Sequence, residues 1–349
     1  MKVLLTGSAG FIGSAIAARL REQGAEVVGV DLMLPQAHGS NTAPAGTEVL
    51  DVRDARAWNR VFQGVDLVCH QAAMVGAGVR VGDLPDYASH NDLATAALLA
   101  AMHDRGVHRL VLASSMVVYG EGRYRCPEHG DRVPGPRAIA QLEAGSFENR
   151  CPDCDRPLDW AVVDEDARLD PRSGYAASKL AQEHYAAAWA RQAGGACVAL
   201  RYHNVYGPGM PRNTPYSGVA AMFRSALERG ERPRVFEDGG QMRDFVHVED
   251  VARANVRAIE LLSGRDPDHV LRPFNVCSGR PIAIGEVAAL VTRGAARHDL
   301  APIVTGEFRA GDVRHVVASP VRATEELGFT AEVAPEDGLV RFATAPLRD

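Results

Sequence analysis

An apolar strand, Lys2 to Thr6, runs directly into the turn Thr6-Gly-Ser-Ala-Gly-Phe-Ile-Gly13 and then into an apolar helix reaching about Gln23. This junction constrains the fold more than any other stretch of the chain. Gly7 permits a tight turn, Gly10 lets the backbone approach a pyrophosphate, and Gly13 lets the helix lie close on a sheet. The helix N-terminus then points its free amides at the phosphates. A second strand, Glu26 to Asp31, completes a strand–helix–strand opening. The pattern predicts an α/β fold, a Rossmann-type doubly wound parallel sheet. Asp31 ends that second strand, 18 residues after Gly13. A carboxylate there accepts bonds from the adenosine ribose hydroxyls and repels a 2′-phosphate, so NAD is expected rather than NADP. Asp51 and Val52 are expected beside the adenine, and Ala72 and Ala73 where the chain passes the pyrophosphate.

Further strands are predicted at Glu48–Asp54, Val65–Cys69, Arg109–Ala113, Cys197–Arg201 and Phe274–Val276, with helices at 92–105, 175–192, 218–228, 249–263, 284–293 and 322–327. Between Glu121 and about Asp170 the pattern breaks into a polar, proline-rich and irregular stretch. Residues 1–200 are therefore expected to form an NAD-binding Rossmann domain carrying an insertion at 121–170. Residues 201–349 are expected to be mainly a smaller substrate-binding region, with some segments returning to the first. The tail after Pro335 is weakly patterned. With 349 residues, 46% of them hydrophobic, the chain can bury a sizeable core. A formal charge of −6 provides no broad basic surface for nucleic acid or anionic lipid. No apolar run is long enough to span a bilayer and no signal peptide is evident, so a cytoplasmic location is expected.

Ser115 follows a buried strand, at the sheet edge where open α/β folds bind ligands. Tyr175-Ala-Ala-Ser-Lys179 places a phenol and an ammonium four residues apart, on one face of a helix. A Lys beside a phenol, near a positively charged nicotinamide, favours the phenolate. The expected roles follow. Ser115 bonds a substrate hydroxyl or ketone, Tyr175 moves the proton, and Lys179 holds the nicotinamide ribose and lowers the phenol pKa.

The pieces TGSAGFIG, Asp31, DVRD, HQAA, SSMVVYG, YAASK, RYHNVYGPG, RDFVHVED and RAGDVRH, in that order, resemble the extended short-chain dehydrogenase/reductase family and its nucleotide-sugar epimerases and dehydratases. The resemblance covers residues 1 to about 330. It implies a catalytic Ser115, four residues before Tyr119. It also implies cofactor contacts from Phe11, Ile12, Ser114, Tyr202 and Val205, and Asn91 as a support near the active site. A nucleotide diphosphate would be held by Asn204, Arg243, and Arg309 or Arg314. Paired guanidiniums suit a diphosphate by charge and fork geometry. Arg243 alternatively pairs with Asp244 or Asp250. Family members usually form homodimers through two helices each, here 92–105 and 175–192.

The family's 4,6-dehydratases carry Asp-Glu immediately after the catalytic hydroxyl residue. Met116 and Val117 stand there and cannot move a proton. The resemblance therefore implies C4 epimerisation of a dTDP-6-deoxyhexose or UDP-sugar through a 4-keto intermediate, with NAD tightly bound. A nucleotide-sugar reductase or dehydrogenase, or a dehydratase of another regiochemistry, is the alternative. A 3,5-epimerase or 5,6-dehydratase would need an extra acid–base group near C3 or C5, for which His203, Cys126 or Glu165 are the candidates, and a net reductase would need exchange of NADH with solvent. A third reading is an NAD-sensing binding protein, against which the intact Ser115, Tyr175 and Lys179 speak.

Cys69, Cys197 and Cys277 sit singly in apolar runs, as core residues do. Cys126, Cys151 and Cys154 instead share the insertion. Cys126-x2-His129 and Cys151-x2-Cys154 each set two ligands around one tetrahedral ion, so a structural Zn²⁺ in a zinc-knuckle-like insertion is expected. Surface thiols or a labile disulfide are the alternatives. The ion would fold a segment too poor in apolar residues for its own core. Arg137, Gln141 and Glu143 are candidate pocket residues within it. The insertion resembles that of a subset of bacterial epimerases, which favours a deoxythymidine-linked 6-deoxysugar over a UDP-hexose.

Overall fold

The computed structural model describes residues 1–39, 42–76, 78, 80–212, 218–264 and 269–348. Seven strands form the main sheet: β1 (Lys2–Thr6), β2 (Glu26–Asp31), β3 (Thr47–Val49), β4 (Leu67–His70), β5 (Arg109–Ser115), β6 (Ala196–Tyr202) and β7 (Leu271–Val276). Their order is β7-β6-β5-β4-β1-β2-β3, and every neighbouring pair is parallel. Parallel strands are covered on both faces, which explains why they read as continuous apolar runs. Val3, Leu5 and Val111 pack with Ile16, Leu20, Val251 and Ile259 on one side. The alternate residues Leu4, Leu110 and Leu112 pack with Leu98, Met102 and Trp189 on the other. The first face is covered by the helices Phe11–Glu22 and Val248–Ser263, and the second by Ala94–Asp104 and Gly174–Ala193. All seven strands run the same way, so Thr6, Asp31, His70, Ser115 and Tyr202 end at one edge. The order reverses between β1 and β4, the crevice where such sheets bind ligands.

Beyond that edge lies a smaller C-terminal unit. Asn204–Tyr206 pairs parallel with Met242–His247, which pairs antiparallel with Pro281–Ala283. Tyr206, Phe223, Phe245, Val291 and Phe342 fill its core, and Phe11, at the start of the first helix, packs against it. The tail after Pro335 forms a helix, Pro335–Phe342, whose apolar face completes that core.

Two local expectations are corrected. The insertion is not irregular throughout, because Arg123–Cys126 pairs antiparallel with both Gly130–Arg132 and Asp159–Ala161. In Arg-Tyr-Arg-Cys the side chains alternate outward and inward, and Tyr124, Cys126, Cys151 and Leu158 form a small core. A core made largely of thiols has no hydrophobic signature in sequence. The helix expected from residue 92 is preceded by a wider π turn, Ala88–Leu93, that continues into Ala94–Asp104. No described helix is long and apolar enough to cross a membrane.

Candidate active site

The glycine turn forms a close-fitting cradle. Gly7 has φ +69°, and a Cβ there would lie 2.7 Å from the Ala72 amide nitrogen. A Cβ on Gly13 would lie 2.0 Å from the Gly7 carbonyl oxygen. Gly10 precedes the Phe11–Glu22 helix, whose first turn carries no side-chain cap, so its amides face the crevice. Ile12 packs toward the main core. The Ala72 amide donates to Thr6 Oγ1 at 3.2 Å, which holds the β4 exit, with Ala73, against the turn. Gly13→Ala should therefore yield protein without bound NAD. Retention of stoichiometric NAD, measured by absorbance of the heat-released nucleotide, would contradict this geometry.

Asp31 lies 8% exposed at the end of β2. It accepts from the amides of Ala9 (3.1 Å) and Met33 (2.9 Å), and its Oδ1 lies 3.2 Å from His38 Nε2. Burial raises its pKa, but His38 and the two amides outweigh this and hold the carboxyl below its ordinary value. Arg348, near the far end of the chain, donates to the Ala9 carbonyl at 2.8 Å and to His38 Nδ1 at 2.7 Å. Asp51 is engaged by Arg53, which donates Nε at 2.9 Å, and Val52 is buried in the core. Tyr202 donates its hydroxyl to Gln71 at 2.9 Å, and Val205 packs partly against the main core.

At the end of β5, alternate side chains part company. Ser114 points inward and donates to Glu183 at 2.5 Å, whereas Ser115 accepts from the Val117 amide at 3.4 Å and lies beside the Tyr175 phenol. Burial pushes the Tyr175 phenol up to about 12, opposed by the neighbouring Ser115. One turn along the Gly174–Ala193 helix, Lys179 is 4% exposed and donates to the Ala113 carbonyl at 3.0 Å. Burial draws the ammonium down to about 8, opposed by Glu183, which leaves it charged at neutral pH. Asn91, fully buried in the π turn, accepts from the Met74 amide at 2.7 Å and donates to Ser178 at 2.8 Å. It thereby staples the β4 exit to the helix that carries Tyr175. A π turn re-aims one side chain without ending the helix, and such turns cluster at functional sites.

On the opposite wall, Asn204 pairs with Phe245 through the backbone, and its buried Oδ1 has no partner among the described residues. Arg243 pairs with neither Asp244 nor Asp250. Asp244 accepts from the Ser278 and Gly279 amides, and Asp250 from those of Glu332 and Val333. The Arg243 guanidinium instead donates to the carbonyls of Met242 (2.9 Å), Arg314 (2.8 Å) and Val313 (2.7 Å). Arg309 is exposed, with its guanidinium 5.1 Å from the Phe236 ring. Arg314 is 1% exposed and engaged by Glu148, Glu237 and Asp238. Its donors are spent on carboxylates, so of the two candidates Arg309 has the freer guanidinium.

The model of the NAD dependent epimerase/dehydratase family matches residues 3–138 and 153–281, most of the chain. The chain belongs to that family. It is 34% identical over 356 aligned positions to the dTDP-L-rhamnose 4-epimerase of Burkholderia thailandensis, covering 98% of this chain and 94% of that one. Among solved structures it is similar to MoeE5 in complex with UDP-glucuronic acid and NAD, at 30% identity and TM-score 0.75 with 98% of each chain covered. It is equally similar to the Thermus thermophilus UDP-glucose 4-epimerase complex with NAD, again at 30% identity, TM-score 0.75 and 98% of each chain. Both solved structures hold NAD, and all three relatives are named for or bound to a nucleotide sugar.

This epimerase/dehydratase chain also brings Cys126, His129, Cys151 and Cys154 together, with all four ligand atoms within 4.8 Å of one another. Cys126 Sγ lies 3.5 Å from His129 Nδ1 and 3.7 Å from Cys154 Sγ, and Cys151 Sγ lies 3.7 Å from His129 Nδ1. A tetrahedron with metal–sulfur bonds of about 2.3 Å has edges of about 3.75 Å, so the donor set fits one zinc ion. All three cysteines are free thiols. Cys69, Cys197 and Cys277 are buried. Burial pushes the Cys69 thiol up to about 12, and such thiols are inert.

One buried group was given no role by the motifs, although Arg201 opens RYHNVYGPG. Arg201 and Glu183 form a buried ion pair at 2.8 Å beneath the Ser115–Tyr175 pair. Arg201 also donates to the Tyr119 hydroxyl and the Glu165 carbonyl, both at 2.9 Å. Their signals were a charge at the end of an apolar strand and a carboxylate four residues after Lys179. Glu165 accepts from the Asn275 amide at 2.8 Å, a structural bond. The buried ring nitrogens of His203 have no partner among the described residues. In the insertion, Gln141 donates to the Ser146 and Glu148 carbonyls and Glu143 is exposed, so neither faces the crevice through a described bond.

Proposed function

We propose that this chain epimerises a nucleotide-diphosphate sugar at C4, with NAD held by the glycine turn and Asp31, and Ser115, Tyr175 and Lys179 as its catalytic residues. The cradle fits the cofactor, because Gly7 lets the Gln71–Ala72 backbone close on the turn and the uncapped amides of the first helix are left for a pyrophosphate. NAD, when bound, takes up and returns the hydride of the sugar carbon. Ser115 holds the 4-hydroxyl and then the 4-ketone by a hydrogen bond. Tyr175 accepts the hydroxyl proton and later gives it back. A phenol near 12 is scarcely ionised at neutral pH, so this reading calls on the positive nicotinamide and the Lys179 ammonium to favour the phenolate. The 4-keto sugar turns over about its diphosphate before reduction on the other face. Asn204, Arg243 and Arg309 would hold that diphosphate.

The observation that carries this reading is the residue pair after Ser115. Met116 and Val117 begin the turn Met116–Tyr119, and Met116 packs against an apolar cluster. No acid–base pair stands there to expel water from C5 and C6, so the chemistry stops at oxidation and return. The test incubates purified protein with UDP-, dTDP- and GDP-sugars without added cofactor and resolves products by NMR. A C4 epimer supports the reading, whereas a dehydrated product or a requirement for added NADH overturns it. The 34% likeness to a dTDP-L-rhamnose 4-epimerase supports a deoxythymidine-linked 6-deoxysugar.

The donor distances around Cys126 support a structural zinc that folds the insertion. Cys151→Ser should lower zinc from one ion per chain to a small fraction by metal analysis. An unchanged content would remove the metal from this account. Exposed Leu93 and Tyr185, on the 88–104 and 174–193 segments, support homodimerisation through those helices.

A further inference from the structure

The insertion is fastened to one short segment, residues 312–315, by four of its side chains. Arg137 donates to the Asp312 carbonyl at 2.7 Å and pairs with buried Glu237 at 2.9 Å. Glu121 accepts from the Arg314 amide at 3.0 Å and is itself held by Asn149 at 3.0 Å. The Tyr124 hydroxyl accepts from the His315 amide at 3.0 Å. Glu148 takes Arg314 Nε at 3.0 Å on one oxygen and lies 2.8 Å from His315 Nε2 on the other. The opposite side of the same segment supplies the Val313 and Arg314 carbonyls that hold the Arg243 guanidinium. Tyr124 and Cys126 lie on one strand and share a core with Cys151 and Leu158. A continuous packed and hydrogen-bonded path therefore joins the Cys–His cluster to Arg243.

We propose that the Cys126–His129–Cys151–Cys154 centre sets nucleotide-diphosphate affinity through Glu148, a positioning residue that holds the Arg314 and His315 side chains and with them the Val313 and Arg314 carbonyls which aim Arg243. The inference rests on the reading of Arg243 as a diphosphate ligand. Its physical basis is geometric. A guanidinium bound through Nη1 and Nη2 to two carbonyls of one segment turns when that segment shifts. The segment has no strand ladder of its own, since residues 309–315 belong to no element. Part of its order is supplied from the insertion, beside Glu237 and Asp238 on Arg314 and the Met242 amide on His315 Nδ1, and the insertion draws its own order from the four-ligand cluster and the small core around it. Glu148 and Arg314 form charge-assisted bonds in which the guanidinium is buried and the carboxylate is partly exposed.

The test measures UDP and dTDP binding by calorimetry, zinc and NAD content, and kcat with saturating nucleotide sugar. Variants are Glu148→Gln, Tyr124→Phe, Cys151→Ser and Arg243→Ala, with thermal melting to confirm folding. Glu148→Gln should keep its zinc and NAD and weaken diphosphate binding about tenfold with kcat nearly unchanged. Tyr124→Phe, which removes one hydroxyl, should weaken it in the same direction. Cys151→Ser should lose zinc and show the same weakening, and adding Glu148→Gln to it should weaken binding little further, because both act through one path. Unchanged affinity in Glu148→Gln and Tyr124→Phe, alongside weakened affinity in Arg243→Ala, overturns the coupling alone. Unchanged affinity in Arg243→Ala overturns the diphosphate placement, and the coupling with it.

Discussion

Replacing Tyr175 with Phe leaves NAD in the protein and lowers turnover by about 10²–10⁴-fold, the range expected for loss of a positioned proton-transfer group. The substitution removes one oxygen. The ring keeps its packing against Tyr87, whose centroid is 5.9 Å away. The cofactor cradle is built from Gly7, Gly13 and Asp31 on other elements, so bound NAD should be unaffected. KM should change far less than kcat, because Ser115, Asn204 and Arg243 remain to hold substrate. Stopped turnover with loss of NAD would instead mean that the ring supports the cradle, and full turnover would assign the proton to another group. Raising the pH should not restore the variant, since no titrating phenol remains at that position.

The second large effect is on stability. Arg201→Met should destabilise the fold by about 3–5 kcal/mol, the cost of leaving one member of a buried ion pair alone. Arg201 and Glu183 are 3% and 4% exposed at their side chains, so water cannot take over the lost contact. Met fills much of the volume but leaves the Glu183 carboxylate with Ser114, and the Tyr119 hydroxyl and Glu165 carbonyl without their donor. Denaturant unfolding of the purified variant measures the loss. A change below about 1 kcal/mol would place the pair among contacts that solvent can replace. Glu183 also raises the Lys179 pKa, so the variant should perturb the active site as well as the fold.

Much of this molecule could be read before its fold was seen, and the unread part has a common cause. The sheet was legible because buried parallel strands write themselves as apolar runs between glycine and polar breaks. Tyr175 and Lys179 were legible because a helix fixes their spacing, and the cysteine pairs because a two-residue gap sets two ligands around one ion. What escaped were partnerships between residues far apart in the chain. Glu148 meets Arg314 across 166 residues, and Arg348 meets His38 across 310. No local period encodes such a meeting. Arg314 illustrates the consequence, because its motif suggests a phosphate ligand while its carboxylate partners lie in the insertion and in the segment after Val235. The strands of the insertion were missed for a related reason. A four-residue strand whose inward residues are a tyrosine and a thiol, paired with two strands of three residues, leaves little alternation of hydrophobicity to detect.

The contact between Arg348 and the glycine turn carries a consequence of its own. The Gly209 amide donates to the Pro346 carbonyl at 2.8 Å and the Arg212 amide to that of Arg348 at 2.8 Å, so the last described residues are stitched along 209–212. From there the Arg348 side chain reaches Ala9 and His38, and His38 reaches Asp31. Fraying at residues 346–348 would thus be felt at residues 9 and 31 without crossing the sheet. Order at the two segments is thereby linked, and deuterium uptake at Gly209 and Arg212 should report on order at the turn between the first strand and the first helix.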